Sequence, residues 1–380
     1  MNALPVARLF GFEIRIHVSW ALILALIAVT VVTQVDVLAP DATPVVGWVI
    51  GGIVAAGFLG SALAHELGHA VVARRAGLPG GPVIVYVFGG AAGPDLEAAR
   101  PRDEAMVALA GPLVSLGLGV GLALVFAVTI VLGSAAGGAA TTIGRIAAVI
   151  GALNLLLGLV NLLPAYPLDG GRVIRAVVWA RTGDAAEGLR AAARTGRWLG
   201  RIAAFVGFAV VLLVDAIDGL FLAAFGWFLI SISRAVERSA DVDDLLEGIV
   251  VDDVMERDVT GIPAGLTLDT FAGQLLDGSA SGAVPVMRDH EVIGILGARQ
   301  VMRIRRDRWP TTRASDIVVA SAALPEVTPA MSIRDVLDLL QRNALDGLPV
   351  HEGGVLAGMV TRRAVAAAVR AREAARGVKP

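Results

Sequence analysis

The sequence predicts two structural classes in one chain: a polytopic α-helical membrane domain with about six spans, followed by a smaller α/β unit. The first prediction rests on composition, because 56% of the 380 residues are hydrophobic, 17% are charged and the mean hydropathy is +0.73. It also rests on recurring apolar runs long enough to cross a bilayer. The second rests on a change after Arg238, beyond which short strand-like and helix-like pieces alternate.

The apolar runs are expected to form the spans in order along the chain. They cover residues 18–35, 45–72, 105–132, 143–163, 202–214 and 220–232. The last two are short, and they either cross separately or form one hairpin. The N-terminus lacks the small-residue cleavage pattern of a signal peptide, so the first run is expected to remain as an anchor.

Basic residues at the ends of the runs predict the orientation. Arg8 and Arg15 precede the first run, Arg74 and Arg75 close the second, and a series of arginines lies between the fourth and fifth. This alternation predicts a multi-pass plasma-membrane protein with both termini in the cytoplasm. The formal net charge of −2 makes nucleic acid an unsuitable partner.

The second run contains the clearest chemical signal. His65 and His69 stand four residues apart, so on a helix their imidazoles share one face at a spacing that can hold one zinc ion. Glu66 between them can accept a proton from water that the metal activates. Ionisable groups at membrane depth each cost on the order of 2–3 kcal/mol unless they have a partner. One metal ion would partner all three.

A catalytic zinc site needs a third protein ligand. The chain has no cysteine and only five histidines, so a carboxylate is the natural candidate. Residues 161–172 return to the same predicted leaflet, where two prolines break a helix and a Gly-Gly pair permits a sharp turn. Asp169 in this segment is the expected third metal ligand. The alternative is an N-cap for a helix that begins at Gly170.

A β-rich stretch, residues 82–88, lies between the second and third runs and is followed by Gly89 and Gly90. It is too short to cross a bilayer, so it represents a short β insertion. It is expected to form either a surface hairpin at the interface or a re-entrant strand beside the metal site. The free edge of such a strand could pair with an unwound peptide.

The last third of the chain repeats itself. Residues 282–286 match residues 346–350, and 292–295 match 356–359, at an offset of about sixty residues that is typical of a tandem pair. The expected organisation is a membrane domain over residues 1–238, a polar linker over 239–248, and repeats over 249–311 and 312–375.

Together these motifs resemble the site-2 protease family, zinc metalloproteases that cut other proteins within the membrane. The resemblance rests on His65-Glu66-x-x-His69, Phe88-Gly89-Gly90, Ala110-Gly111-Pro112, and Asn161 followed by Pro167-x-Asp169-Gly170. The C-terminal tandem looks like a pair of cystathionine-β-synthase-type (CBS) domains, which one branch of the family carries. The Gly111-Pro112 step either kinks the third span or serves close packing.

The resemblance implies a zinc endopeptidase with His65, His69 and Asp169 as ligands of one zinc ion and Glu66 as general base. It implies that Asn161 helps to hold the substrate or the oxyanion, although an interhelical hydrogen bond explains this residue about as well. The implied substrates are single-span proteins embedded in the lipid bilayer, such as anti-sigma factors or membrane-tethered transcription factors.

The role of the CBS pair stays open at this level. CBS pairs usually clamp an adenine nucleotide between the repeats, with an Asp after a Ser or Thr that holds the ribose. The matching stretches, residues 297–300 and 361–364, lack that Asp, although Arg362 or Arg363 could meet a phosphate. A regulatory nucleotide and a homodimer formed through the pair are both expected alternatives.

Two other functional classes compete with the peptidase. A membrane transporter or channel gated by CBS domains would share the multispan body and the tandem repeat. It would not need a Glu between two histidines or an Asp after a broken helix. A catalytically inactive relative would be expected to lose Glu66 or one of the ligands.

Overall fold

The structure of the protein is a computed structural model with two compact units, Met1–Ala240 and Asp241–Pro380. It describes residues 3–40, 42–78, 81–85, 100–136, 138–276, 282–289 and 291–375. The Phe88-Gly89-Gly90 end of the β-rich stretch lies outside the described residues.

The first unit opens with a small sheet. Strands β1 (Ala3–Leu9) and β2 (Phe12–His17) form an antiparallel hairpin, and strand β3 (Val83–Val85) pairs in parallel with β2. Phe10 and Gly11 form the hairpin turn with positive φ angles, which suit the twist of the paired strands. The alternation of apolar and polar residues along β2 is the sequence signal for this hairpin.

The helices of the first unit follow in chain order. They are α1 (Trp20–Thr33), α2 (Val35–Leu38), α3 (Pro44–Arg75), α4 (Pro101–Ala136), α5 (Gly138–Asn161), α6 (Asp169–Thr182), α7 (Ala185–Leu213) and α8 (Ala216–Leu246). Within the described part of the chain, five helices are long and apolar enough to cross a membrane, namely α3, α4, α5, α7 and α8. Helix α1 is apolar but has 14 residues, fewer than the roughly 20 that a span needs. The first apolar run is therefore a shorter helix than residues 18–35 predict.

The last two apolar runs form two long helices, α7 and α8, separated by Val214 and Asp215. A Cβ placed at Gly207 or Gly226 would overlap the backbone of the other helix. The two helices therefore pack backbone to backbone, as small residues allow in membrane helix pairs.

Helix α3 carries both histidines of the H-E-x-x-H motif. It begins at Pro44, after Thr43, whose side-chain oxygen accepts a hydrogen bond from the Val46 N–H. At Gly68, a Cβ would lie 3.0 Å from the Val114 side chain and 3.1 Å from the Ala110 carbonyl oxygen. The missing side chain thus brings α3 close to α4 beside His65 and His69.

The chain between α5 and α6 turns back so that α6 begins at Asp169, with Leu168 in the N-cap position. Gly170 and Gly171 lie in the first turn of α6 rather than in a sharp turn. A Cβ at Gly170 would overlap the carbonyl of Leu162, and one at Gly171 would lie 2.5 Å from Tyr166 N. The glycine pair therefore serves close packing of α6 on the preceding turn, which corrects the expectation that it provides a bend.

The second unit contains the tandem repeat. Its elements are β4 (Ile262–Pro263), α9 (Leu268–Leu276), β5 (Ala283–Arg288), β6 (Glu291–Gly297), α10 (Ala298–Met302), α11 (Ala314–Ile317), β7 (Val319–Ala320), α12 (Ile333–Arg342), β8 (Gly347–Glu352), β9 (Val355–Thr361) and α13 (Arg362–Ala375). The β5–β6 and β8–β9 pairs are antiparallel and share one register, with an irregularity after Val286 in one pair and after Val350 in the other. The sequence repeat is thus a repeat of structure.

Candidate metal centre

His65, His69 and Asp169 converge on one point of the first unit. Nε2 of His65 lies 3.2 Å from Asp169 Oδ2 and 3.2 Å from Nε2 of His69, and the His69 Nε2 atom lies 3.3 Å from the same carboxylate oxygen. The three atoms form a nearly equilateral triangle. All three residues are buried, and among the described residues they form a group spaced to hold a metal ion.

This donor set fits zinc. Ligands about 2.0–2.1 Å from a tetrahedral zinc ion are separated from one another by about 3.3 Å, close to the edges of the triangle. Two imidazole nitrogens and one carboxylate oxygen are also the ligand types that zinc takes in a protein without cysteine, and three protein ligands leave one position open for chemistry.

The hydrogen bond of His69 assigns its tautomer. Nδ1 of His69 lies 2.7 Å from the Val107 carbonyl oxygen. Because a carbonyl oxygen only accepts, Nδ1 carries the proton, and the lone pair of the neutral ring is on Nε2. That lone pair and the Asp169 carboxylate lie close together, so a cation bound between them would stabilise the arrangement.

Helix α4 leaves room for the two imidazoles at Gly111. A Cβ at this position would lie 2.6 Å from Nε2 of His65 and would overlap Nε2 of His69. Any side chain at position 111 would therefore compete for space with the Nε2 atoms of His65 and His69. The close approach of α4 to the two imidazoles therefore explains a glycine at position 111. Pro112 follows Gly111 inside the helix.

The other predicted site residues are Glu66 and Asn161, which lie on α3 and α5. Glu66 is half-buried on α3 and interacts electrostatically with His69. Asn161 is the last residue of α5, and its amide nitrogen donates to the Leu157 carbonyl of its own helix, at 2.9 Å. Asn154, one heptad earlier, donates from α5 to Ser61 on α3 and so makes an interhelical hydrogen bond.

The contacts that α4 makes around the site were not predicted from sequence. Ser115 Oγ lies 2.9 Å from Nδ1 of His65, and buried Glu104 pairs with Arg175 of α6 at 3.1 Å. The only sequence signal is spacing, because Glu104, Gly111 and Ser115 recur on one helical face. Such a spacing is common in apolar helices, so it does not by itself point to a metal centre.

Comparison with known proteins decides the family. Residues 53–214 match Peptidase family M50, and residues 251–307 and 314–371 each match the CBS domain. Rip3 of Mycobacterium tuberculosis is 33% identical over 371 residues, which cover 96% of this chain and 92% of the relative. The chain belongs to peptidase family M50, the site-2 protease family. Membership in family M50 decides against the CBS-gated transporter or channel.

Two further comparisons give lower sequence identity. Zinc metalloprotease MJ0392 of Methanocaldococcus jannaschii is 24% identical over 316 residues, 80% of each chain. The solved structure of the site-2 protease from Methanocaldococcus jannaschii shares 22% identity, covers 62% of this chain and 95% of that one, and superposes with a TM-score of 0.40. This M50 protein is a zinc metalloendopeptidase of the site-2 protease type that carries a CBS pair.

Proposed function

We propose that the protein hydrolyses peptide bonds of single-span membrane proteins within the bilayer, as a step in regulated intramembrane proteolysis. The observation that carries the proposal is the buried triangle of His65, His69 and Asp169 in a chain whose described residues form five membrane-length helices. Ionisable groups among apolar spans are costly to bury, and where they occur they usually mark a functional site. M50 membership supplies the reaction class.

The proposed roles follow from the chemistry of each side chain. His65, His69 and Asp169 hold the zinc ion, which when bound supplies Lewis-acid chemistry that polarises a carbonyl and makes water a stronger acid. Glu66 takes the proton from the attacking water and returns it to the amine that leaves. Its place beside His69 on α3 supports this role.

Asn161 is proposed to hold the substrate or the oxyanion. Its position at the last residue of α5, immediately before the turn that leads to Asp169, supports this role. In the structure the amide nitrogen donates to the Leu157 carbonyl of the same helix, so the proposed role requires this hydrogen bond to open when a substrate is bound. A donor aimed at a developing oxyanion typically contributes on the order of 10²–10³ in rate.

A helical substrate must unwind locally before its scissile peptide bond can reach the proposed zinc site. Strand β3 pairs with β2 through one edge, and its other edge is proposed to align an extended substrate by backbone hydrogen bonds. Anti-sigma factors and membrane-tethered transcription factors are substrates of the right topology. We place the protein in the plasma membrane with multiple spans and both termini in the cytoplasm, as the arginine distribution favours.

The CBS pair is proposed to regulate the peptidase, either by binding an adenine nucleotide or by forming a homodimer. Gln300 and Ala364 occupy the two positions where a ribose-binding Asp would stand. Homodimer formation is therefore proposed on an equal footing with nucleotide binding, in which Arg362 or Arg363 would meet a phosphate.

The test uses the full-length protein in lipid nanodiscs with a single-span substrate tagged at both ends. Glu66→Gln is expected to retain zinc and to lose cleavage by at least 10²-fold, whereas Asp169→Ala loses both zinc and cleavage. His351→Ala, a histidine of β8 in the other unit, is the matched control and should leave both unchanged. Cleavage that survives Glu66→Gln, or zinc content that survives Asp169→Ala, would overturn the proposal.

A further inference from the structure

One face of α4 lies against the metal centre along three turns. Glu104, Val107, Gly111 and Ser115 are spaced by three or four residues, so they stand above one another on the helix. Along this face, Glu104 meets α6, the Val107 carbonyl meets His69, Gly111 lies beside both Nε2 atoms, and Ser115 meets His65.

Both histidines use Nδ1 to make a hydrogen bond to α4. Nδ1 of His69 contacts the Val107 carbonyl oxygen at 2.7 Å, and Nδ1 of His65 contacts Ser115 Oγ at 2.9 Å. The two contacts lie two helical turns apart on α4, while the histidines lie one turn apart on α3. A backbone carbonyl serves one imidazole, and a side chain serves the other.

We propose that Ser115 is a positioning residue of the metal centre: its hydroxyl accepts the Nδ1 proton of His65 and fixes the ring with its Nε2 lone pair towards Asp169. The inference rests on the proposed role of His65 as a zinc ligand. A histidine ligand must present a lone pair on the coordinating nitrogen, and the partner of the other nitrogen selects that tautomer.

Burial makes this hydrogen bond consequential. Ser115 is fully buried and His65 is 4% exposed, so bulk water does not replace the hydroxyl. Without Ser115 Oγ, Nδ1 of His65 would lose its buried partner, and the ring would favour other rotations and the other tautomer. Among the described residues, Ser115 Oγ is the hydrogen-bond partner that His65 Nδ1 has, and the Val107 carbonyl contacts the other imidazole.

The test compares two variants of the same shape. Ser115→Thr keeps a hydroxyl, whereas Ser115→Val has the same branched outline without one. Zinc dissociation constants are measured by chelator competition on the full-length protein in nanodiscs. We expect Ser115→Val, and likewise Ser115→Ala, to bind zinc about 10- to 100-fold more weakly, and Ser115→Thr to stay within about threefold of the parent.

Ser61→Ala is the matched control. Ser61 is also a buried serine with an interhelical hydrogen bond, from Asn154 of α5, but its partner is not a proposed ligand. A role limited to helix packing would lower the thermal stability of zinc-free Ser115→Val and leave the increase in Tm on adding zinc unchanged. The positioning role reduces that increase in Tm, because zinc that binds more weakly stabilises the folded state less.

A second readout reports the ligands directly. Cobalt substituted for zinc has visible absorption that depends on ligand orientation, so the Ser115→Val spectrum should differ from those of the parent and Ser61→Ala. Equal zinc affinities for the Thr and Val variants would overturn the inference. Zinc binding that withstands His65→Ala or Asp169→Ala would instead overturn the proposed function, so the two failures are distinguishable.

Discussion

The carboxylate of Asp169 lies 3.2 Å from Nε2 of His65, although 104 positions separate the two residues in the chain. Helix α3 supplies the histidine and α6 supplies the carboxylate at its first residue. Their separation therefore depends on how two helices are held together, and α4 contacts both of them. The predictions below test the parts of this arrangement one at a time.

Gly111→Ala should remove zinc binding. The new Cβ would lie 2.6 Å from Nε2 of His65 and would overlap Nε2 of His69, so the two imidazoles, which are the proposed zinc ligands, would have to move. A displacement of about 1 Å at a catalytic site typically costs on the order of 10² in rate. Zinc content and substrate cleavage are the measurements. Gly117→Ala on the same helix, where no atom lies within 4 Å of the new Cβ, should behave as the parent; equal loss in both variants would contradict the explanation.

Gly170→Ala should displace Asp169. Its Cβ would overlap the carbonyl oxygens of Leu162 and Leu163, and relief of that overlap would shift the first turn of α6, where Asp169 stands. We expect weaker zinc binding, measured by chelator competition, together with slower cleavage. Gly60→Ala on α3, which meets no atom within 4 Å, is the control. Parental zinc affinity in Gly170→Ala would show that the turn can move without the carboxylate.

Glu104→Gln should lower the unfolding free energy of the first unit more than the same substitution in an exposed ion pair. Glu104 is buried and pairs at 3.1 Å with Arg175, whose side chain is 20% exposed, so removal of the Glu104 charge leaves a partly buried guanidinium without this anion. Loss of one partner of a fully buried pair costs about 3–5 kcal/mol, so we expect a loss at the lower end, about 3 kcal/mol. Unfolding of the zinc-free protein in mixed micelles measures the change.

Glu13→Gln is the exposed counterpart to Glu104→Gln. The Glu13–Arg15 side chains are 34% and 41% exposed, and such pairs contribute about 0–1 kcal/mol. If the Glu104 and Glu13 variants unfold at the same denaturant concentration, the Glu104–Arg175 pair does not hold α4 and α6 together.

Asp346→Ala should loosen the contact between the two CBS repeats. The Asp346 carboxylate accepts a hydrogen bond from the Arg299 N–H at 2.9 Å and lies 3.0 Å from Arg299 Nε. Arg299 is partly exposed, so we expect a loss of about 1 kcal/mol in unfolding free energy of the second unit. Urea unfolding followed by amide exchange in β6 and β8 measures it. Asp307→Ala, whose pair with Arg305 is largely exposed, should change stability by less than about 0.5 kcal/mol.

Much of the architecture follows from local pattern. The apolar runs predict helices because length and hydropathy alone satisfy the requirement for a span, and five described helices meet it. The offset between residues 282–286 and 346–350 predicts the shared register of β5–β6 and β8–β9. The two short runs near the end of the first unit form long helices, because flanking polar residues continue the helical hydrogen bonds beyond the apolar stretch.

Other features depend on contacts between distant residues, which local pattern does not contain. Strand β3 pairs with β2 although helices α1, α2 and α3 lie between the two strands in the chain. Helix α1 is shorter than its apolar run. Gly170 and Gly171 were expected to form a bend. Instead both lie in the first turn of α6, where each packs against backbone atoms of the segment between α5 and α6. A glycine in sequence does not show whether it is needed for its φ angle or for a close approach.

The sequence by itself determined the chemistry of the site: two histidines one helical turn apart with a glutamate between them, and an aspartate after a broken helix. It did so because helical spacing and side-chain type are local properties. Only the tertiary structure decided that the Asp169 carboxylate joins the two Nε2 atoms in one triangle, and that Ser115 and Val107 of α4 hold the opposite edges of the imidazoles. Those contacts join three helices, α3, α4 and α6, at depths set by glycine packing, and packing depth is a property of the folded chain as a whole.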